Sequence, residues 1–143
     1  MKKTMLLLFA IMLFAGCSKE SKTMINATAY LTDFPINGEE SRVRSNIAFI
    51  RGDASAIILN AETVDSYFKG NPPLSALNVD QHSEYVEDGE YTVLVQIADR
   101  LAEGMHTTYS YKKVSVNSGQ ETPSNVMVFD RNPKGYQPWN DKY

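Results

Sequence analysis

Thiols are almost absent from this sequence. One cysteine, Cys17, stands in 143 residues, so no disulfide can form within the chain. Histidine is nearly as scarce. His82 and His106 lie far apart, and neither sits in a metal-ligand spacing such as H-E-x-x-H. No G-x-S-x-G nucleophile elbow is present. These absences leave no catalytic constellation, no metal site and no cofactor motif to build on. Positive charge is also short. Fourteen Lys and Arg face seventeen Asp and Glu, a net charge of −3, and the basic residues form no stripe. Phosphate affinity comes from clustered Lys and Arg, so nucleic acid is not an expected partner. There is no internal repeat and no low-complexity tract. Long hydrophobic runs are missing too. The longest apolar block, Met5 to Phe14, falls well short of the roughly 20 residues that cross a bilayer.

That block nevertheless has a purpose. Lys2 and Lys3 precede it, and the small residues Ala15 and Gly16 follow it. A basic start, a short apolar core and a small-residue exit make a secretory signal peptide over residues 1–16. Cys17 comes next. Phe14-Ala15-Gly16-Cys17 resembles the lipobox of bacterial lipoproteins, with Phe14 in place of the commoner leucine. The resemblance implies cleavage before Cys17, a diacylglyceryl group on its sulfur and acylation of the new amine. Several acyl chains make attachment stable, at ~0.8 kcal/mol per buried CH₂. The only thiol is thus read as an attachment atom, and the membrane is the first expected partner. Ser18 replaces the aspartate that favours inner-membrane retention in enterobacterial-type sorting. The expected address is therefore the cell envelope, at the outer membrane, facing either periplasm or exterior.

Loss of residues 1–16 removes Lys2 and Lys3 and no acid, so the remaining 127 residues carry a net charge of −5. That length suits one domain with its own core. Residues 17–24 read as a lipidated polar tether, 25–131 as the domain and 132–143 as a tail.

The domain reads mostly as strands. Thr23 to Leu31 is rich in β-compatible residues, and Thr32 to Gly38 breaks it with Pro35, Asn37 and Gly38. Arg42 to Arg51 reads as a second strand and Gly52-Asp53 as a turn. Ser55 to Asn60, with Ile57, Ile58 and Leu59, reads as a short strand buried on both faces. Glu62 to Lys69 is the helix candidate, with Ala61, Val64 and Phe68 on one face and Gly70 and Pro72-Pro73 as stops. Leu74 to Val86 is ambiguous, with a strand possible near Glu84 to Val86. Tyr91, Val93, Val95 and Ile97 then alternate with Thr92, Leu94 and Gln96, the clearest strand of the chain. Arg100 to His106 reads as a loop centred on Gly104. Thr107 to Val116 reads as a strand whose face changes near Lys112-Lys113, as at a bulge. Asn125 to Asp130 closes the series. About seven strands and one short helix imply an all-β sandwich, with a barrel as the alternative.

Residues 88–130 carry a further resemblance. Gly89, Tyr91 and Val93 entering a strand, then Val114, Val116 and Gly119, look like the last three strands of transthyretin-like or carboxypeptidase-regulatory-like domains. The resemblance implies an Ig-like sandwich. It covers about a third of the chain.

Other features have plain explanations beside functional ones. Glu84, Glu87, Asp88 and Glu90 could gather around Ca²⁺, with Asp99 and Glu103 nearby, but they lack the D-x-[DN]-x-[DN]-G order and fit a solvated hairpin. Arg51-Gly52-Asp53 spells an adhesion tripeptide and is also ordinary turn chemistry. Asn26-Ala27-Thr28 is a sequon within an expected strand. The tail holds Tyr136, Trp139 and Tyr143 among polar, Pro and Gly residues. Flat rings beside Asn and Lys suit a sugar or a protein partner, and Tyr109 or Tyr111 could join them. The same tail could instead fold over a sheet edge, with Trp139 covering apolar surface. The sequence thus predicts a non-enzymatic, membrane-anchored sandwich serving as an interaction or accessory module of the envelope. Its partner would be an envelope protein or a glycan. The alternative is a carbohydrate-binding surface lipoprotein that uses exposed aromatic rings.

Overall fold

A computed structural model describes residues 22–36, 39–101, 104–121, 123–130 and 133–141. Phe14, Ala15, Gly16, Cys17, Glu103 and Tyr143 lie outside them. Among the described residues no helix is long and apolar enough to cross a membrane.

The chain is an all-β sandwich of two sheets. In chain order the elements are β1 (Thr23–Ile36), β2 (Glu39–Arg42), β3 (Ser45–Arg51), helix α1 (Ala61–Lys69), β4 (Ser75–Val79), β5 (Gln81–Val86), β6 (Gly89–Leu101), β7 (Gly104–Val116), β8 (Ser124–Phe129) and β9 (Gly135–Tyr136). The first sheet is built around β1. Antiparallel β5 pairs with Thr23 to Thr28, and β2 pairs further along, from Tyr30 to Ile36. Parallel β8 pairs with Asn26 to Leu31, overlapping both registers, and so takes the opposite edge of β1. The second sheet runs β4-β3-β6-β7-β9. Strand alternation fills the space between the sheets. Tyr91, Val93, Val95 and Ile97 of β6 meet Ile25, Ala27, Ala29 and Leu31 of β1, with Ile47, Phe49, Met127 and Phe129.

A second apolar cluster lies on the outer face of the five-stranded sheet. Val64 and Phe68 of α1 cover Ala48, Ile50, Leu94 and Tyr109 there. The helix starts at a capping box. The Asn60 side chain accepts from the Thr63 amide at 3.0 Å, and the Asn60 amide donates to Thr63 Oγ1 at 3.1 Å.

This second cluster explains two differences from the sequence reading. Ser55 to Leu59 forms successive turns, not a strand. The amides of Ile57 and Ile58 both donate to the Ala54 carbonyl, at 2.9 and 3.0 Å, and the half-buried isoleucines pack under the helix. The run is apolar because it borders a core, not because a sheet surrounds it. The change of face along β7 is likewise no bulge, since its register with β6 is continuous from Gly89↔Val116 to Leu101↔Gly104. Val114 and Val116 face the first core, while Tyr109 and Tyr111 face the second.

Two expected breaks are strands instead. β1 continues through Pro35, and β6 and β7 continue to Leu101↔Gly104. Both extensions are two-stranded. β8 stops pairing with β1 at Leu31, and β3 stops pairing with β6 at Gln96. An edge tolerates proline because its N–H would have no partner on that side. Among the described residues the strand count is nine, because the ambiguous Leu74–Val86 stretch holds both β4 and β5, β2 is separate from β3, and the tail adds β9.

Candidate functional site

The C-terminal tail forms a strap across the open side of the sandwich. β9 pairs in parallel with β7 through Thr108↔Gly135 and Tyr109↔Tyr136. The Gln137 amide donates to the Tyr109 carbonyl at 2.9 Å, and Thr108 Oγ1 donates to the Pro133 carbonyl at 2.6 Å. Beyond β9 the strap reaches the other sheet, where the Val128 amide donates to the Asn140 carbonyl at 3.3 Å. Gly135 has φ +75°, a left-handed conformation that glycine adopts without the cost of a Cβ.

The rings of this region differ in exposure. Tyr109 is buried and Tyr111 half-buried. Tyr136 is 47% exposed and lies 5.2 Å from the Tyr111 ring and 5.7 Å from the Tyr109 ring. Burial raises the Tyr136 and Tyr109 phenols above their ordinary pKa, with Tyr111 adding to the effect in both. Trp139 is half-buried against the inter-sheet core. Its indole N–H donates to Asp141 Oδ1 at 2.6 Å, and Lys112 Nζ sits 6.0 Å from its ring centre. Lys112 also pairs with Asp141. Burial pulls the Asp141 carboxyl upward, but the hydrogen bonds from Lys112 and Trp139 and the Lys112 charge prevail and hold it below the usual carboxylate range. Trp139 thus helps fasten the strap. Tyr136 is the ring of this group with a substantial open face.

The other sequence candidates are dispersed. His82 stacks on Phe49, its side chain 11% exposed, with Nε2 3.5 Å from Glu84 Oε1. Burial lowers its pKa against the opposing effects of Glu84 and the Leu74 backbone. His106 stands opposite Asp99 in the β6–β7 ladder, in the other sheet. Arg51 donates to Glu87 Oε2 at 2.6 Å and to the Asp88 carbonyl at 3.2 Å. Asp53 accepts from the Ser55 amide at 2.9 Å and from its hydroxyl, and these bonds lower its pKa. Asp88 accepts from the Ser118 amide at 2.7 Å and from its hydroxyl, and Glu90 accepts from Ser115. The four carboxylates near the β5–β6 turn therefore have separate partners. Among the described residues no group of three or more His, Asp or Glu side chains is arranged to hold a metal ion. Asn26 and Thr28 lie in β1 with strands on both sides.

Sequence reading missed a site at the end of the sandwich where β1 begins. Lys22, Arg51, Leu74, Tyr85, Val86, Glu87 and Tyr91 line a hollow of about 200 Å³ there. Tyr91 closes its base, its hydroxyl donating to the Glu87 carbonyl at 2.9 Å. Tyr85 is 66% exposed at its rim. The signal was period-2 alternation in Gln81 to Val86, which puts Tyr85 on the face opposite His82, Glu84 and Val86.

No family model matches the chain, and no curated protein matches it. A solved structure from Pseudomonas aeruginosa, described as a "putative carbohydrate binding protein", is similar over 81% of this chain and 94% of its own, at 12% identity and a TM-score of 0.44.

Proposed function

We propose that the chain is a lipoprotein of the bacterial cell envelope, held in the outer membrane through Cys17, whose sandwich acts by binding rather than by catalysis. One observation carries the reading. β1 begins at Thr23, so five residues separate the anchor from the first strand, a reach of no more than about 22 Å. Both longest hairpins point the other way. β1 runs from Thr23 toward the β1–β2 turn. β6 starts at the same end, because Thr23 pairs with Val86 and a two-residue connection leads from there into β6. The β1–β2 and β6–β7 arms therefore extend from the end opposite the tether, a position suited to meeting an envelope partner.

Metabolic labelling with an alkyne fatty acid tests the anchor. Wild type should take the label and pellet with membranes. Cys17→Ala should do neither. Protease added to intact cells then decides between a surface-facing and a periplasm-facing domain. An unlabelled wild type overturns the lipoprotein reading.

A second reading, glycan binding, is favoured by Tyr136, whose open ring is braced by Tyr111 and Tyr109. A fixed aromatic face can stack on a sugar ring without ordering a loose side chain first. On a glycan array, wild type should bind and Tyr136→Ala should lose at least most of the signal. A silent wild type removes this reading and leaves a protein partner.

A further inference from the structure

The tether end carries an apolar pair that the interior does not explain. Met24 and Tyr85 stand directly opposite each other on β1 and β5. Their chain neighbours Ile25 and Val86 are buried in the core, so alternation turns Met24 and Tyr85 outward, where they are 37% and 66% exposed. The next pairs along that face are Asn26 with Ser83 and Thr28 with Gln81. Each member of those lateral and diagonal pairs on the outer face is polar. On the β8 side of that face Val126 beside Thr28 is half-buried and Val128 beside Tyr30 is buried, so among the described residues exposed large apolar side chains of this sheet are confined to the rung nearest the tether. Beside it, Lys22 lies at the mouth of the hollow.

We infer that Met24 and Tyr85 form a footing in the headgroup layer of the bilayer that holds the lipid, so that the sandwich stands on its tether end. This rests on the anchor at Cys17 proposed above. The chain between Cys17 and Met24 is too short to let this end move far from the lipid surface. Tyrosine suits that depth, with an apolar ring and a hydroxyl that stays hydrated, and the Lys22 stem can lie along the interface with its ammonium in water. Charge contributes little, because Lys22 and Arg51 at this end are matched by Glu87 and Asp88. Tethering makes a weak footing sufficient, since it converts insertion into an intramolecular step at high effective concentration. The footing fixes which way the hairpin arms face.

The test uses the full lipidated protein in vesicles of phosphatidylethanolamine and phosphatidylglycerol. Nitroxides are placed one at a time through Met24→Cys and Gln81→Cys, two positions on the same face about 13 Å apart along the strands. Collisional accessibility to oxygen and to a water-soluble nickel chelate reports depth. The expected oxygen-to-nickel ratio is several-fold higher at 24 than at 81 and is unchanged by high salt. Adding Tyr85→Ser should bring the ratio at 24 down to that at 81, and Tyr85→Trp should preserve it. Water-like values at both positions, with the Cys17 lipid present by mass spectrometry, overturn the footing and leave the anchor standing. Equal immersion at both positions overturns the upright orientation. Absence of the lipid overturns both readings.

Discussion

Phe49 of β3 and His82 of β5 stack across the space between the two sheets, ring centroids 5.2 Å apart and planes 11° from parallel. The contact joins the sheets at a ring that can take a proton, and His82 is held below its ordinary pKa by burial. Its unfolded-state value is about 6.5. As pH falls past that value the unfolded chain takes the proton first, so stability present above it is lost as pH approaches the folded-state pKa. The urea midpoint should therefore drop between about pH 7.5 and pH 5. His82→Phe, which keeps a ring against Phe49, should flatten that drop. The carboxyls of Asp53 and Asp141 are shifted downward and titrate at more acidic pH, outside this window. An equal drop in the variant would assign the effect to other groups.

The strap makes a separate prediction. Trp139 packs on the core and its N–H is held by Asp141, which also pairs with Lys112. Trp139→Ala removes half-buried apolar area and should lower stability by about 2 kcal/mol. Asp141→Asn keeps an acceptor for the indole and loses a half-exposed ion pair, so it should cost less than about 1 kcal/mol. Urea unfolding followed by circular dichroism measures both. A large loss from Asp141→Asn and a small one from Trp139→Ala would reverse the assigned roles.

Much of the fold was legible because alternation along β6 is clean, and it is clean because both of its faces meet packed surfaces of different kinds. The same two-sidedness misled elsewhere. Ile57 and Ile58 read as strand because an apolar run does not say whether a sheet or a helix covers it. Tyr109, Tyr111, Val114 and Val116 suggested a bulge because residues on both faces of β7 are apolar. Pro35 and Gly104 read as breaks because sequence does not show that strands continue as two-stranded arms, where an edge forgives proline. Of the candidate site, the strap's fold over a sheet edge was foreseeable from its rings and prolines. The Met24–Tyr85 pair was not, since its meaning depends on register between strands far apart in sequence.

The second core carries its own test. Phe68 and Val64 are buried on the inner face of α1, whereas Leu59 just before the helix is 70% exposed. Phe68→Ala should destabilise by about 3 kcal/mol, within the usual range for a buried aromatic ring. Leu59→Ala should stay within about 0.5 kcal/mol of wild type. If Phe68→Ala left the global midpoint unchanged while hydrogen exchange in α1 sped up, the helix would be a unit that opens separately from the sandwich.

Backbone geometry also dictates residue choice at the exit from α1. Gly70 remains right-handed at φ −72°, and Asn71 takes the left-handed turn at φ +52°, its amide donating to the Phe68 carbonyl at 3.1 Å. Asparagine tolerates that region and a β-branched residue does not. Asn71→Gly should be nearly neutral. Asn71→Val should cost about 1–2 kcal/mol, although Asn71 is exposed and the substitution removes no packing. Thermal unfolding of the two variants measures the difference. Equal stability of the valine and glycine variants would mean that the turn relaxes to a right-handed path, and that the carbonyl of Phe68 finds another donor.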